Sequence, residues 1–120
     1  MTTLEGNKLI AEFMELKYDP DKKDGAPFYK ETSKDGWESK SYYNPRYHTS
    51  WDWLMPVVEK IEKMGYGFHK DPFDLNIVEY ISGDENQVVA YQNNPDDSLI
   101  YKWHYVVVQF IQWYNQNKPA

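Results

Sequence analysis

Apolar positions recur at helical spacing in three stretches of this 120-residue chain and alternate in strand fashion between them. Leu9, Ile10, Phe13 and Met14 lie on one side of a helix, which predicts a short first helix with Asn7 as its cap. From about Ser50 to Met64, the residues Trp51, Leu54, Val58, Ile61 and Met64 form a single stripe. Trp53 and Val57 sit beside it, and Glu59, Lys60, Glu62 and Lys63 lie outside. Gly65 stops that helix. Pro56 has no N–H to donate and is harmless only in a first turn, so either Asp52 is the cap or the helix bends there. A last helix runs to about Asn115. It is announced by Asn94-Pro95-Asp96-Asp97, read as a cap, a proline at the first helical position and two acids at the positive end of the dipole. Leu99, Trp103, Val106, Phe110, Ile111 and Tyr114 form its inner face, and Tyr101, Tyr105 and Val108 widen the band.

The segment FYKETSKDGWESKSYY predicts a hairpin turning at Asp35-Gly36, a dipeptide suited to a type I′ turn. That turn pairs Lys34 with Trp37, Glu31 with Lys40, Tyr29 with Tyr42 and Phe28 with Tyr43. One opposite-charge pair and two aromatic pairs fall opposite each other together. Before it, residues 18–25 carry several breakers and no period, which predicts a loop. A second antiparallel pair follows Asp71-Pro72: FDLNIVEYI, with Phe73, Leu75, Ile77 and Ile81 on one face, then the turn SGDEN and the strand QVVAYQ. Helix, hairpin, helix, hairpin, helix predicts one α+β domain over residues 1–120, an antiparallel sheet of about four strands layered with three helices.

Composition sharpens this outline. Aromatics make up 18% of the chain, including eleven tyrosines and five tryptophans, more rings with polar tips than a core of this size absorbs. Several are therefore expected at the surface, with Trp53 and Trp113 the part-exposed indoles because they flank the main stripes. There is no cysteine, which excludes disulfides and thiolate-held zinc. The formal charge is −6, and residues 47–120 hold five Lys/Arg against ten Asp/Glu. Such an acidic surface repels phosphates and argues against non-specific nucleic-acid binding. No basic start with an apolar run marks a secretory signal, and no stretch is apolar enough for a membrane span. A cytoplasmic setting is expected.

The stretch YHTSWDWLMPVVEKIEKMG, together with NKLIAEFM and VVVQFIQWYNQN, resembles small uncharacterised proteins carried by phages and prophages. These share a helix opening on S-W-D-W-L-M-P-V-V-E-K-I-E and a closing helix ending in F-I-x-W-Y-N. From residue 50 onward the element order is also similar, more distantly, to the phage α/β/α-sandwich domain. The resemblance spans about a third of the chain. It implies a phage setting in a host bacterium and helices layered on a sheet, and it brings no catalytic residues with it.

The chemistry-bearing residues are few. His48 and Asp52 are four apart, a spacing that stacks side chains on a helix face, but a metal needs three or four such groups. His69 and His104 add no motif spacing, so Asp52 or Ser50 is read as a helix cap and His48 as bonded to nearby backbone. No G-x-S-x-G, no phosphate-cradling glycine loop and no buried acid pair is present. No catalytic residue, metal or cofactor is assigned. The contact candidates are Trp37, Tyr42, Tyr43, Arg46, Tyr47, His48 and Trp53, rings and cations that can anchor a protein partner or stack on a base. The expected function is a non-enzymatic phage accessory protein acting by protein contact. The alternative is a nucleotide-binding protein with an aromatic-lined pocket and Lys40, Arg46 or Lys102 for phosphate.

Overall fold

The computed structural model describes residues 2–19, 27–34, 37–70, 74–80 and 86–117, with side chains given outside 30–42, 80 and 86. Among these described residues three helices and six strands follow one another: α1 Thr3–Phe13, β1 Lys17–Tyr18, β2 Phe28–Lys34, β3 Trp37–Tyr43, α2 Trp51–Lys63, β4 Tyr66–Lys70, β5 Leu75–Tyr80, β6 Asn86–Gln92 and α3 Leu99–Asn117. The α+β class and the two hairpins are as the pattern predicts. Each hairpin carries one further antiparallel strand, so that the described strands form two three-stranded sheets, β1-β2-β3 and β4-β5-β6. In the first, the register pairs Lys34 with Trp37, Glu31 with Lys40, Tyr29 with Tyr42 and Phe28 with Tyr43, as expected. Asp35-Gly36, most of the 18–25 loop, Phe73, Ile81 and most of SGDEN lie outside the described residues.

The second sheet carries the core. β4 and β6 both pair with β5, and the register shifts between Ile77 and Val78: Ile77 faces Ala90 and Val78 faces Val88, leaving Val89 as the extra residue. A bulge of this kind turns two successive side chains the same way. Val89 and Ala90 are accordingly both buried, while Val88 is exposed. α3 crosses β5 and β6, α2 leans on β4, and α1 lies against α3. Phe110 of α3 is fully buried at the centre, edge-on to Phe13 of α1 at 6.3 Å and packed on Tyr66 of β4 at 4.7 Å.

The helices start and stop for local reasons, and two differ from expectation. α1 is capped by Thr2, whose hydroxyl accepts the Glu5 N–H at 3.2 Å, one turn before Asn7. Asn7 lies inside the helix and is 4% exposed. At the other end, Leu16 N–H donates to the Ala11 carbonyl and Glu15 N–H to the Glu12 carbonyl, with Glu15 at φ 66°. This is a Schellman turn made without glycine. α3 begins at Leu99, later than Asn94-Pro95 implies: Ser98 Oγ accepts the Tyr101 N–H, and the Asn94 side chain accepts the Asp96 N–H in a preceding turn. α2 ends at Lys63, and Gly65 just past its cap has a φ of +100°, which suits a residue with no Cβ. Leu54, Val57, Val58 and Ile61 are its buried face, each contributing about 1.5–3 kcal/mol of apolar burial. Pro56 sits inside this helix, beyond the first turn.

Candidate functional site

The α1 terminus, the end of β3 and the entrance of α2 converge on one cleft. The Schellman turn aims Met14 and Leu16 at it. Beyond Tyr43, the last residue of β3, the chain turns on the Arg46 carbonyl, which accepts the N–H groups of Thr49 and Ser50 at 3.1 and 3.0 Å. That turn brings Tyr47 back under Trp53 before α2 starts. The cleft of about 380 Å³ is lined by Met14 and Leu16 on one side and by Tyr43, Tyr47 and Trp53 on the other. Asp52 and Pro56 of α2 complete it. As an interior proline, Pro56 removes the N–H that would bond the Asp52 carbonyl, and its ring becomes cleft wall instead.

Trp53 stands edge-to-face with both tyrosines. Its centroid is 5.7 Å from Tyr43 at 81° and 5.4 Å from Tyr47 at 89°. Tyr47 is the floor, 3% exposed, and burial pushes its phenol pKa up to about 12. It is a neutral hydroxyl throughout the ordinary pH range. Asp52 is exposed in the first turn of α2 and supplies the only charge on the lining among the described residues.

Three of the sequence-derived contact candidates, Tyr43, Tyr47 and Trp53, therefore meet in one place. The other four do not join them on the described residues. The side chains of Trp37 and Tyr42, like that of Lys40, lie outside the description. Arg46 is exposed and lines none of this cleft, and Lys102 is buried in α3, away from the lining.

His48 is turned inward. Asn7 Nδ2 lies 2.8 Å from His48 Nδ1, and Asn7 Oδ1 lies 2.9 Å from His104 Nε2. An amide oxygen only accepts and an amide nitrogen only donates, so His104 carries its proton on Nε2 and His48 Nδ1 is bare. His48 thus bonds a side chain of α1 rather than local backbone, and the helix cap is not a side-chain one: Ser50 makes no side-chain capping bond. Burial, then the neighbouring His48, lowers the His104 pKa to about 4. Gly6 permits the approach of α1 that makes this network, since a Cβ there would meet Val108 Cγ2 at 3.1 Å and His104 Cε1 at 3.3 Å. Sequence reading gave Asn7 a capping role, and no local signal links residues 7, 48 and 104.

The remaining tryptophans are structural. Trp103 stacks on Phe68 at 5.0 Å and 16°, and Trp51 meets it edge-on at 6.2 Å. The pair ties α2, α3 and β4 together, but Trp51 is 37% exposed on the outer side, not inside the stripe. Trp113 is half-buried against Tyr66 and Phe110. Among the described residues no group of three or more His, Asp or Glu side chains is placed to hold a metal ion, and no helix is long and apolar enough to cross a membrane.

No family model, no curated protein and no solved structure matches the chain.

Proposed function

We propose that this chain is a non-enzymatic accessory protein of phage or prophage origin that works by binding another protein through the aromatic cleft at the entrance of α2. The supporting observation is the convergence of Tyr43, Tyr47 and Trp53 around an open, largely apolar hollow. Aromatic rings in a partly desolvated hollow are the usual anchors of a protein contact, carrying more binding energy than their number implies. The SWDWLMPVVEK resemblance supplies the phage setting, and the same string builds one wall of the cleft. The titratable groups close by favour binding over chemistry. The Tyr47 phenol stays protonated, and His48 and His104 are occupied with Asn7.

Nucleotide binding fits the cleft less well. Among the described residues its one charged lining residue is Asp52, a carboxylate, which repels phosphate, and Lys102 does not line it.

The test is ring-dependent capture from host cells expressing the chain. A specific protein should be retained by the wild type and lost with Tyr43→Ala, whose fold is checked by circular dichroism. Retention that ignores Tyr43→Ala would place the contact elsewhere. A melting-temperature rise with a nucleotide, abolished by the same substitution, would favour the other reading.

A further inference from the structure

We infer that the aromatic cleft receives an arginine side chain of the partner protein, with Asp52 as its counter-ion. This rests on the protein-contact reading above and names the chemistry of the anchor.

Four features converge on a planar cation. First, the rings are crossed rather than stacked: Trp53 meets Tyr43 at 81° and Tyr47 at 89°. Neither contact is a face-to-face pair, and Trp53, half-buried, remains on the cleft lining. A cation within about 6 Å of such a ring is attracted by its quadrupole, most strongly by tryptophan.

Second, Asp52 stands at the rim, and no described side chain hydrogen-bonds or pairs with it. Its full negative charge outweighs the roughly half-unit positive end of α2 on which it sits. A cation is therefore welcome where an anion is not. Third, Met14 and Leu16 offer an apolar wall against which the methylene stem of a long basic side chain lies while its head reaches the carboxylate. Fourth, residues 47–120 carry five Lys/Arg against ten Asp/Glu, which draws in basic segments before any contact is made.

Arginine satisfies these features together better than lysine. Its flat guanidinium lies against a ring and still presents two parallel N–H groups to a carboxylate, whereas an ammonium is a compact, strongly hydrated point charge. The cleft of about 380 Å³ holds one such side chain with part of its flanking backbone.

The test titrates the intact chain with N-acetyl-arginine methylamide and follows the Trp53 indole N–H resonance by NMR, in low salt. The lysine analogue and the uncharged citrulline isostere run in parallel. The expected Kd for arginine is about 1–10 mM, the range for one isolated side chain. The lysine analogue should bind several-fold more weakly, and citrulline, which keeps the shape and loses the charge, at least about tenfold more weakly. Asp52→Asn should weaken arginine binding by about five- to tenfold with the other indole resonances unmoved.

Equal binding of citrulline, arginine binding untouched by Asp52→Asn, or no movement of the Trp53 resonance up to about 50 mM probe overturns the assignment. Equal binding of the lysine analogue overturns the preference for arginine. Since the citrulline comparison uses the unaltered chain, it stands even where the variant misfolds. A partner captured in a Tyr43-dependent way by a chain that ignores the arginine probe leaves the protein-contact reading in place and removes only this one.

Discussion

Asn7 Oδ1 accepts a hydrogen bond from Nε2 of His104 at 2.9 Å, across ninety-seven positions of sequence. The same amide donates to His48, so one side chain of α1 fixes the ring orientations of α3 and of the turn that leads into the aromatic cleft. The cleft's entrance is therefore tied to the core through a neutral, pH-sensitive link.

The pH dependence follows from the sign of the shift. His104 titrates near 6.5 in the unfolded chain and near 4 in the folded one, because burial disfavours its charged form. Between those values the unfolded state binds more protons, so folding stability falls as pH drops from about 6.5 to about 4. Above that window the contribution is fully present. Urea unfolding from pH 7 to pH 4 should show this slope in the wild type and a shallower one in His104→Gln. Parallel slopes would mean that His104 is solvated.

Replacing Asn7 with leucine removes both bonds while keeping an apolar volume. It leaves the buried His104 nitrogen and the half-buried His48 nitrogen without their Asn7 partner, and the expected loss is about 2–3 kcal/mol in denaturant unfolding. Asn7→Asp tests the proton inventory more sharply. A carboxylate only accepts, so it favours a proton on His48 Nδ1 as well as on His104 Nε2. That variant should hold its stability better than the wild type as pH falls from 7 to 5.5, measured by the shift in melting temperature.

Glu15 occupies the left-handed region at φ 66° to close the α1 Schellman turn. A side chain there costs roughly 1–2 kcal/mol, part of which glycine returns through the greater freedom of its unfolded state. Glu15→Gly should raise stability by up to about 1 kcal/mol, seen as a higher urea midpoint with unchanged slope.

Much of the fold was legible because its signals are local. The register expected from the dipeptide Asp35-Gly36 pairs Glu31 with Lys40 and Tyr29 with Tyr42, and β2 and β3 pair so. The strand Tyr66–Lys70 was not, since it contains a glycine and ends on exposed His69 and Lys70. Nor was the bulge at Val89, which breaks the alternation of QVVAYQ. The indoles of α2 show why a stripe alone is insufficient. At about 100° per residue, Trp51 and Trp53 flank the buried face at roughly 70–90° on opposite sides. Their fates differ because Tyr43 and Tyr47 arrive from outside the helix to cover Trp53, while Trp51 meets only Trp103 among the described rings. Grouping Tyr43, Tyr47 and Trp53 as contact candidates was within reach of the sequence. The inward turn of His48 was not, because its partner is forty-one residues away.

The most direct measurement of the central claim is site-specific photo-crosslinking in host cells. A photoreactive phenylalanine analogue replaces Tyr43 at the cleft mouth in one strain, and exposed Tyr105 on α3 in another. A discrete adduct with one host or phage protein from position 43, absent from position 105, is the predicted result. An adduct from position 105 with none from position 43 would contradict the claim that this cleft is where the protein meets its partner.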